Sequence, residues 1–179
     1  MTNNKLFRIG SVIVGIALML IGGYRLYMTL GGEAKRENEN AQKSAVFIGE
    51  TATDADGVEF CVTSVNEAKT IGSDYSKITT ENNFIVVSIR ITNNSREAYD
   101  VNCSHFVLTE NGNEYECYSD ALLRVENHMY LDTINPFISG EYVIVYEVPG
   151  TLEEREWQMK IIHNVFSDKD FVYVNLREK

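Results

Sequence analysis

NFIVVSIRIT, residues 83–92, is the stretch of sequence that decides the fold. β-Branched residues dominate it, and such residues favour a strand over a helix. Side chains alternate between the two faces of an extended chain, so apolar residues two positions apart share one face. Four residues form such a row: Ile85, Val87, Ile89 and Ile91. The pattern predicts a strand with one buried face.

EYVIVYEV, residues 141–148, follows the same rule. Its row on one face is Tyr142, Ile144, Tyr146 and Val148. Five further segments have the composition of strands: residues 59–65, 105–109, 114–119, 157–162 and 171–176. These segments together predict seven strands.

An eighth strand is expected if residues 46–48 or residues 50–53 pair ahead of the first one. Within residues 45–179, residues 120–129 alone have a helical character, and we expect a long connection there with at most a short helix. Short strands at regular spacing, without long helices between them, are typical of a sandwich. The sequence therefore predicts an all-β antiparallel sandwich of about seven to eight strands.

The dipeptide Asn111-Gly112 lies between two of the predicted strands. It predicts a two-residue hairpin turn, because both central positions of such a turn require positive φ. This turn would place Leu108 opposite Tyr115 and Phe106 opposite Cys117.

An apolar stretch, FRIGSVIVGIALMLIGGYRLYMTL at residues 7–30, precedes the strands. As a helix, residues 9–30 would reach about 33 Å, close to the thickness of the hydrocarbon core of a bilayer. We predict a membrane anchor in residues 1–32. A cleaved signal peptide is the alternative, but residues 24–28 lack the small side chains that signal peptidase requires. Lipid attachment is excluded because the first cysteine is Cys61.

Residues 33–44, EAKRENENAQKS, are predicted to be a polar stalk, and residues 45–179 a single domain. The chain has a formal charge of −10, and its first 32 residues contain three basic residues and no acidic one, so the remainder carries −13. Such a charge repels phosphate backbones, and we expect no nucleic acid partner. Basic residues flank both ends of the apolar stretch, so their number alone does not fix the orientation. We expect a single-pass protein of the cell membrane with its C-terminal domain outside.

Four parts of the chain carry a family resemblance: residues 84–101 (FIVVSIRITNNSREAYDV), residues 106–115 (FVLTENGNEY), the turn at Asn135-Pro136 with Gly140, and residues 142–149 (YVIVYEVP). Over residues 50–176 the chain resembles a bacterial domain-of-unknown-function family of exported proteins. That family has a telokin-like, immunoglobulin-like sandwich and is related to the immunoprotective extracellular antigen. The resemblance implies this fold and export, and hardly any activity. Family members are typically lipoproteins or membrane-anchored, and here the anchor helix would replace the missing lipid-attachment cysteine.

The three cysteines, Cys61, Cys103 and Cys117, are an odd number, so at least one is free or pairs between chains. Three states stay open at this point: all three reduced and buried, a Cys103–Cys117 disulfide, or another pairing. A Cys103–Cys117 bond requires a bulge, because the predicted register places Phe106 opposite Cys117.

No metal site is predicted from the sequence. His105, His128 and His163 lie far apart without the spacing of a zinc site. Residues 54–59, DADGVE, share the first oxygen ligands of a calcium loop but lack its later ones, so we predict an ordinary turn into a strand.

No motif places a nucleophile beside a base, and no phosphate-binding or dinucleotide-binding glycine loop occurs. Paired carboxylates cannot be recognised from sequence alone. We expect no enzymatic activity, no cofactor, and no catalytic, cofactor-binding or metal-binding residue.

The sequence thus predicts a membrane-anchored extracytoplasmic binding or interaction module of the bacterial cell envelope. Its partners would be the lipid bilayer, through residues 9–30, and an unknown protein or cell-wall ligand. Loops at one end or an exposed strand edge would bind that ligand. The alternative is an accessory structural subunit of a membrane protein complex, acting through its anchor and stalk. A ligand sensor is a third possibility.

Overall fold

The computed structural model describes residues 45–162 and 171–177, which belong to the unit Ala41–Lys179. This part of the chain contains one short helix, α1 (Ser119–Leu122), and a 3-10 turn at Cys103–His105. The rest of its regular structure is eleven strands: β1 (Val46–Phe47), β2 (Thr51–Thr53), β3 (Val58–Ser73), β4 (Ser76–Asn93), β5 (Tyr99–Asn102), β6 (Phe106–Glu110), β7 (Asn113–Tyr115), β8 (Leu131–Ile134), β9 (Ser139–Val148), β10 (Gln158–Ile162) and β11 (Phe171–Asn175).

The strands form three sheets. One sheet has the order β1-β11-β10-β6-β7, a second has the order β2-β3-β4-β9, and β5 pairs with β8 in a third. All pairs of these strands are antiparallel except the short contact between β1 and β11. The predicted all-β sandwich is confirmed. The strand count exceeds the prediction because β1 and β2 both form and because β5 and β8, of four residues each, were not predicted.

The core lies between the two larger sheets. The predicted rows of β4 and β9 are confirmed, since every member of both rows is buried. The ring of Phe60 on β3 makes edge contacts with Phe106 on β6 and with Tyr99 on β5, at centroid distances of 6.1 and 6.0 Å. Phe60 therefore contacts a residue from each of the other two sheets.

A buried hydrogen bond also links the two larger sheets. Tyr146 on β9 is fully buried, and its hydroxyl donates to the main-chain oxygen of Phe106 at 3.0 Å. Burial raises the pKa of Tyr146 well above its ordinary value, so the hydroxyl keeps its proton and donates.

The Asn-Gly turn forms as predicted. Asn111 and Gly112 have φ values of 48° and 81°, and Leu108 pairs with Tyr115. The predicted pairing of Phe106 with Cys117 is wrong, because β7 ends at Tyr115 and the chain leaves the sheet there.

The chain that leaves β7 runs along the outer edge of β9. The amide of Tyr118 donates to the oxygen of Val145 at 2.8 Å, and the amide of Met129 donates to the oxygen of Val143 at 2.9 Å. This segment contains α1, so the prediction of a long connection with at most a short helix is confirmed.

The β3–β4 hairpin is much longer than predicted. Its ladder continues to Ser73 and Ser76, with Asp74 and Tyr75 in the turn. Its outer part, residues 66–82, is mostly exposed and lacks the alternating apolar pattern that predicts a strand.

The predicted anchor and stalk, residues 1–32 and 33–44, lie outside the described residues, and so does their boundary with the domain. Within residues 45–162 and 171–177, no helix is long and apolar enough to span a bilayer. The anchor in residues 9–30 stays a prediction.

Replacing Tyr146 by Phe tests the bond between the sheets. Tyr146→Phe keeps the ring but leaves the buried oxygen of Phe106 without this donor, so the free energy of unfolding should fall by about 1–3 kcal/mol. Urea unfolding followed by the fluorescence of Trp157, the only tryptophan, measures this change.

The matched control is Tyr75→Phe, which removes a hydroxyl from a fully exposed side chain. It should change the stability by less than about 0.5 kcal/mol. Equal effects of the two substitutions would contradict a specific role for the Tyr146 hydroxyl.

Candidate binding surface

Exposed apolar side chains flank strand β8. Tyr130 and Leu131 lie at its start, Phe137 and Ile138 follow its end, and each of the four is 51–69 % exposed. The four residues of the strand itself span about 13 Å. We call β8 together with Tyr130, Phe137 and Ile138 the β8 surface. Patches of exposed large apolar side chains mark sites of interaction, and these four side chains lie in two pairs, one at each end of β8.

β8 is itself an exposed edge strand. Leu131, Asp132 and Thr133 are exposed, and only Ile134 is buried. Among the described strands, β8 is hydrogen-bonded only to β5, with Tyr99 opposite Ile134. An edge of this kind can accept hydrogen bonds from, or donate them to, another chain.

Polar groups line an open groove of about 590 Å³ on the surface of the β5–β8 pair. Asp100 accepts a hydrogen bond from the Thr133 hydroxyl at 3.0 Å, and Asp132 accepts one from the Tyr142 hydroxyl at 2.8 Å. Burial, together with this hydrogen bond, raises the pKa of Tyr142, which keeps its hydroxyl a donor. The groove therefore presents carboxylate oxygens that can accept further hydrogen bonds from a ligand.

Asn93, at the end of β4, fixes the position of the chain around β8. Its side chain is buried, and its amide nitrogen donates to the main-chain oxygens of Glu97 at 2.7 Å and Ile134 at 2.9 Å. Its side-chain oxygen accepts from the amide of Ser95 at 3.0 Å. A single buried side chain thus joins the end of β8 to the turn that precedes β5.

The main chain of Asn93 fixes the turn after β8. Its oxygen accepts from the amide of Phe137 at 2.7 Å, and its amide donates to the oxygen of Ile138 at 2.9 Å. These two bonds determine where the apolar pair Phe137 and Ile138 lies.

Phe137 has a strained backbone. Its φ is +64°, in the left-handed region that bulky residues rarely adopt. Such a conformation costs about 1–3 kcal/mol and occurs in turns and at sites of function, and Phe137 lies in a turn in which the amide of Ile138 donates to the oxygen of Asn135 at 3.2 Å. The side chain is also 68 % exposed, so burial of the ring does not offset this cost.

Two of the histidines singled out in the sequence, His105 and His128, lie among the described residues. His128 is exposed, with Nδ1 3.2 Å from the oxygen of Val125, and His105 lies in the 3-10 turn beside the groove. His163 lies outside the described residues. Within residues 45–162 and 171–177, no group of three or more histidine, cysteine or acidic side chains is arranged to hold a metal ion.

The acidic segment at residues 54–59 forms the turn that the sequence predicts. The Oδ1 atom of Asp54 accepts hydrogen bonds from the amides of Asp56 at 3.0 Å and Val58 at 2.8 Å. Gly57 has a φ of +87°, which a turn here requires. This carboxylate oxygen therefore serves the turn into β3.

The cysteines are free thiols in the structure. Cys103 is buried, whereas Cys61 and Cys117 are half-buried. Cys61 lies on β3, opposite Arg90 of β4.

A comparison with known protein families shows the family of this chain. A sequence profile described as "Domain of unknown function (DUF4352)" matches residues 46–172. This chain belongs to the DUF4352 family. The predicted family of bacterial proteins is confirmed, and none of the proteins with curated descriptions matches the chain.

Solved structures with the same sandwich include three from bacteria. The yjhA protein of Bacillus subtilis is 14 % identical, with a TM-score of 0.57 over 74 % of this chain and 99 % of that one. MPT63, a secreted protein of Mycobacterium tuberculosis, is 11 % identical, with a TM-score of 0.53 over 73 % and 97 %. A putative lipoprotein of B. subtilis, ycdA, is 17 % identical, with a TM-score of 0.50 over 73 % of this chain but 40 % of that one. At these identities the similarity shows the fold alone.

Replacing Asn93 by Ala tests whether the Asn93 side chain fixes the position of the β8 surface in this DUF4352 protein. Asn93→Ala removes the side-chain donor of the Ile134 oxygen and one of the two donors of the Glu97 oxygen, which keeps the Ser95 hydroxyl, so the free energy of unfolding should fall by about 1–3 kcal/mol. Amide hydrogen exchange should also become faster at Ser95, whose amide loses its acceptor.

Asn94→Ala is the matched control, because Asn94 is the exposed neighbour of Asn93. Its stability and its exchange rates should stay close to those of the unchanged protein. The role given to Asn93 would be wrong if both variants behaved alike.

Proposed function

We propose that this DUF4352 protein is a membrane-anchored binding module of the bacterial cell envelope, with an immunoglobulin-like domain outside the cytoplasm. It binds an envelope protein or a cell-wall ligand through the β8 surface. The observation that carries this proposal is the strained and exposed Phe137 beside an exposed edge strand.

The chemistry of the β8 surface suits recognition. Phe137 and Ile138 supply apolar contact area at one end, and Tyr130 and Leu131 supply it at the other. Between them, the groove supplies hydrogen-bond acceptors such as Asp100. Apolar anchors beside polar groups that fix orientation are typical of binding sites.

Three observations support an envelope location. The apolar residues 9–30 suit a bilayer, and the strongly acidic remainder suits a domain facing water. The fold neighbours include a secreted protein and a putative lipoprotein. In this chain the apolar helix would replace a lipid anchor.

Binding without catalysis is part of the proposal. The carboxylates of Asp100 and Asp132 accept hydrogen bonds from neighbouring hydroxyls, an arrangement that orders a surface. The acidic domain is also poorly suited to nucleic acid, because its charge repels phosphates.

Protease treatment of intact cells tests the location. The domain should be degraded by external protease in intact cells after removal of the outer wall layers, and an immunoblot of its C-terminus should lose its signal. A cytoplasmic marker protein serves as the control and should be protected until lysis. Protection of the domain along with that marker would overturn the proposed location.

Phe137→Asn tests the binding surface. Asn tolerates positive φ far better than Phe, so the variant should be as stable as the original protein or up to about 1 kcal/mol more stable. Its binding to purified cell walls, or its crosslinking to an envelope protein in cells, should fall at least tenfold. If Phe137→Asn keeps or raises stability while it weakens binding, the loss of binding cannot be attributed to unfolding.

Tyr75→Asn is the matched control, since it removes another exposed aromatic ring from the far turn of the β3–β4 hairpin. Its binding should be unchanged. If deletion of residues 1–32 abolishes association while Phe137→Asn has no effect, the accessory subunit acting through anchor and stalk is the better description.

A further inference from the structure

The main chain of β8 has one partner strand and one open edge. β5 and β8 form a sheet of their own, and among the described residues the main chain of Leu131, Asp132 and Thr133 makes no hydrogen bond to any other strand. An open edge of this kind can pair with an extended segment of another chain.

The pairing of β5 with β8 separates a buried face from an exposed one. Tyr99 lies opposite Ile134, and both are buried. Side chains alternate along each strand, so the residues between these positions face the other way. The outer face therefore carries Asp100, Asn102, Leu131 and Thr133. A strand added along β8 would extend this outer face beside Leu131 and Thr133.

Asp132 places a fixed negative charge on the open strand. Its side chain is exposed, its Oδ1 atom accepts from the amide of Thr133 at 2.8 Å, and its Oδ2 atom accepts from the hydroxyl of Tyr142 at 2.8 Å. A charge on an edge strand disfavours pairing with most other strands. An opposite charge on the neighbouring strand instead stabilises the pair. The edge therefore favours a segment that contains lysine or arginine.

No basic residue offsets this charge within the two strands. β5 and β8 contain Asp100 and Asp132 and neither lysine nor arginine, and the chain after residue 32 is strongly acidic. A second copy of this domain would bring charges of the same sign together, and an anionic wall polymer would be repelled. Charge complementarity thus favours a cationic partner.

We propose that β8 pairs with an extended, basic segment of an envelope protein, which adds to the β5–β8 pair as a third strand. A lysine or arginine of the segment pairs with Asp132, and its apolar side chains contact Leu131 at one end of β8 or Phe137 at the other. This inference rests on the proposed function and names the class of ligand that the β8 surface binds, a cationic peptide.

Peptide binding to the full-length protein, purified in a non-ionic detergent, tests the ligand class. The probes are peptides of about six residues, long enough to cover β8 at about 3.3 Å per residue. One peptide alternates lysine with valine, and the other has glutamate in place of lysine. Fluorescence anisotropy should show binding of the lysine peptide that is at least about tenfold tighter and weakens at high ionic strength. Equal affinities for the two peptides would overturn the inference.

Asp132→Asn removes the charge but keeps an oxygen that can accept from Thr133 and Tyr142. The affinity for the lysine peptide should fall about threefold, and Asp132→Lys should reverse the preference in favour of the glutamate peptide. Asp74→Asn is the matched control, because it removes one charge from the exposed far turn of the β3–β4 hairpin. Equal losses in Asp132→Asn and Asp74→Asn would mean attraction to the net charge alone and would contradict a site at β8.

Amide hydrogen exchange tests the pairing of main chains. With the lysine peptide at about ten times its Kd, exchange within residues 131–134 should slow about tenfold. Methyl groups on every second peptide nitrogen block one edge of the peptide, so one of the two methylated versions should lose this protection. Binding without protection of residues 131–134 would overturn strand addition. Protection that rises with protein concentration in the absence of peptide would assign the edge to a second copy instead.

Failure of this inference can be distinguished from failure of the proposed function. If Phe137→Asn weakens association with the envelope while the two peptides bind alike, the β8 surface binds a ligand of another class, and this inference alone is wrong. If the lysine peptide protects β8 but Phe137→Asn leaves association with the envelope unchanged, the proposed envelope role is wrong and the peptide preference alone stands.

Discussion

The buried hydrogen bond from Tyr146 to Phe106 is the contact on which the sandwich most depends. The two residues lie on different sheets, and the donor is fully buried, so neither group can turn to water instead. Any shift of one sheet relative to the other would leave two buried polar groups unpaired. Hydrophobic burial is largely insensitive to direction, whereas this bond also fixes the relative position of β6 and β9. Phe60, which contacts Phe106 and Tyr99, extends that order to β5.

The edges of strands β9 and β8 differ in how they are covered by the rest of the chain. The outer edge of β9 is covered by hydrogen bonds from Tyr118 and Met129 to the strand. Strand β8 instead stays exposed, with apolar side chains at both ends. An exposed apolar edge strand promotes aggregation, so we expect such an edge to be retained where it binds a partner. The bonds of Asn93 to Ile134, Phe137 and Ile138 show that the end of β8 and the turn after it are nevertheless firmly positioned.

The sequence predicted the parts of this fold that depend on local pattern. Alternating burial and positive φ restrict which residue types can occur. The sequence therefore shows the rows of β4 and β9 and the Asn111-Gly112 turn. Strand β8 shows no such pattern, since Ile134 alone of its four residues is buried, and the alternation of β5 covers four residues only. The candidate surface could not be predicted from the sequence. The role of Asn93 depends on bonds to residues about 40 positions away. Near Phe137, Pro136 alone indicates an unusual backbone conformation.

The wrong prediction about Cys117 shows how the end of a strand changes the course of the chain. A continued β7 ladder would have placed Cys117 opposite Phe106. Because the strand ends at Tyr115, the chain turns toward the edge of β9, where the amide of Tyr118 donates to the oxygen of Val145. The position of Cys103 depends in turn on the 3-10 turn, where the Asn102 side chain accepts from the amide of Ser104. Two local interruptions of the strands, the 3-10 turn after β5 and the end of β7 at Tyr115, thus determine where Cys103 and Cys117 lie.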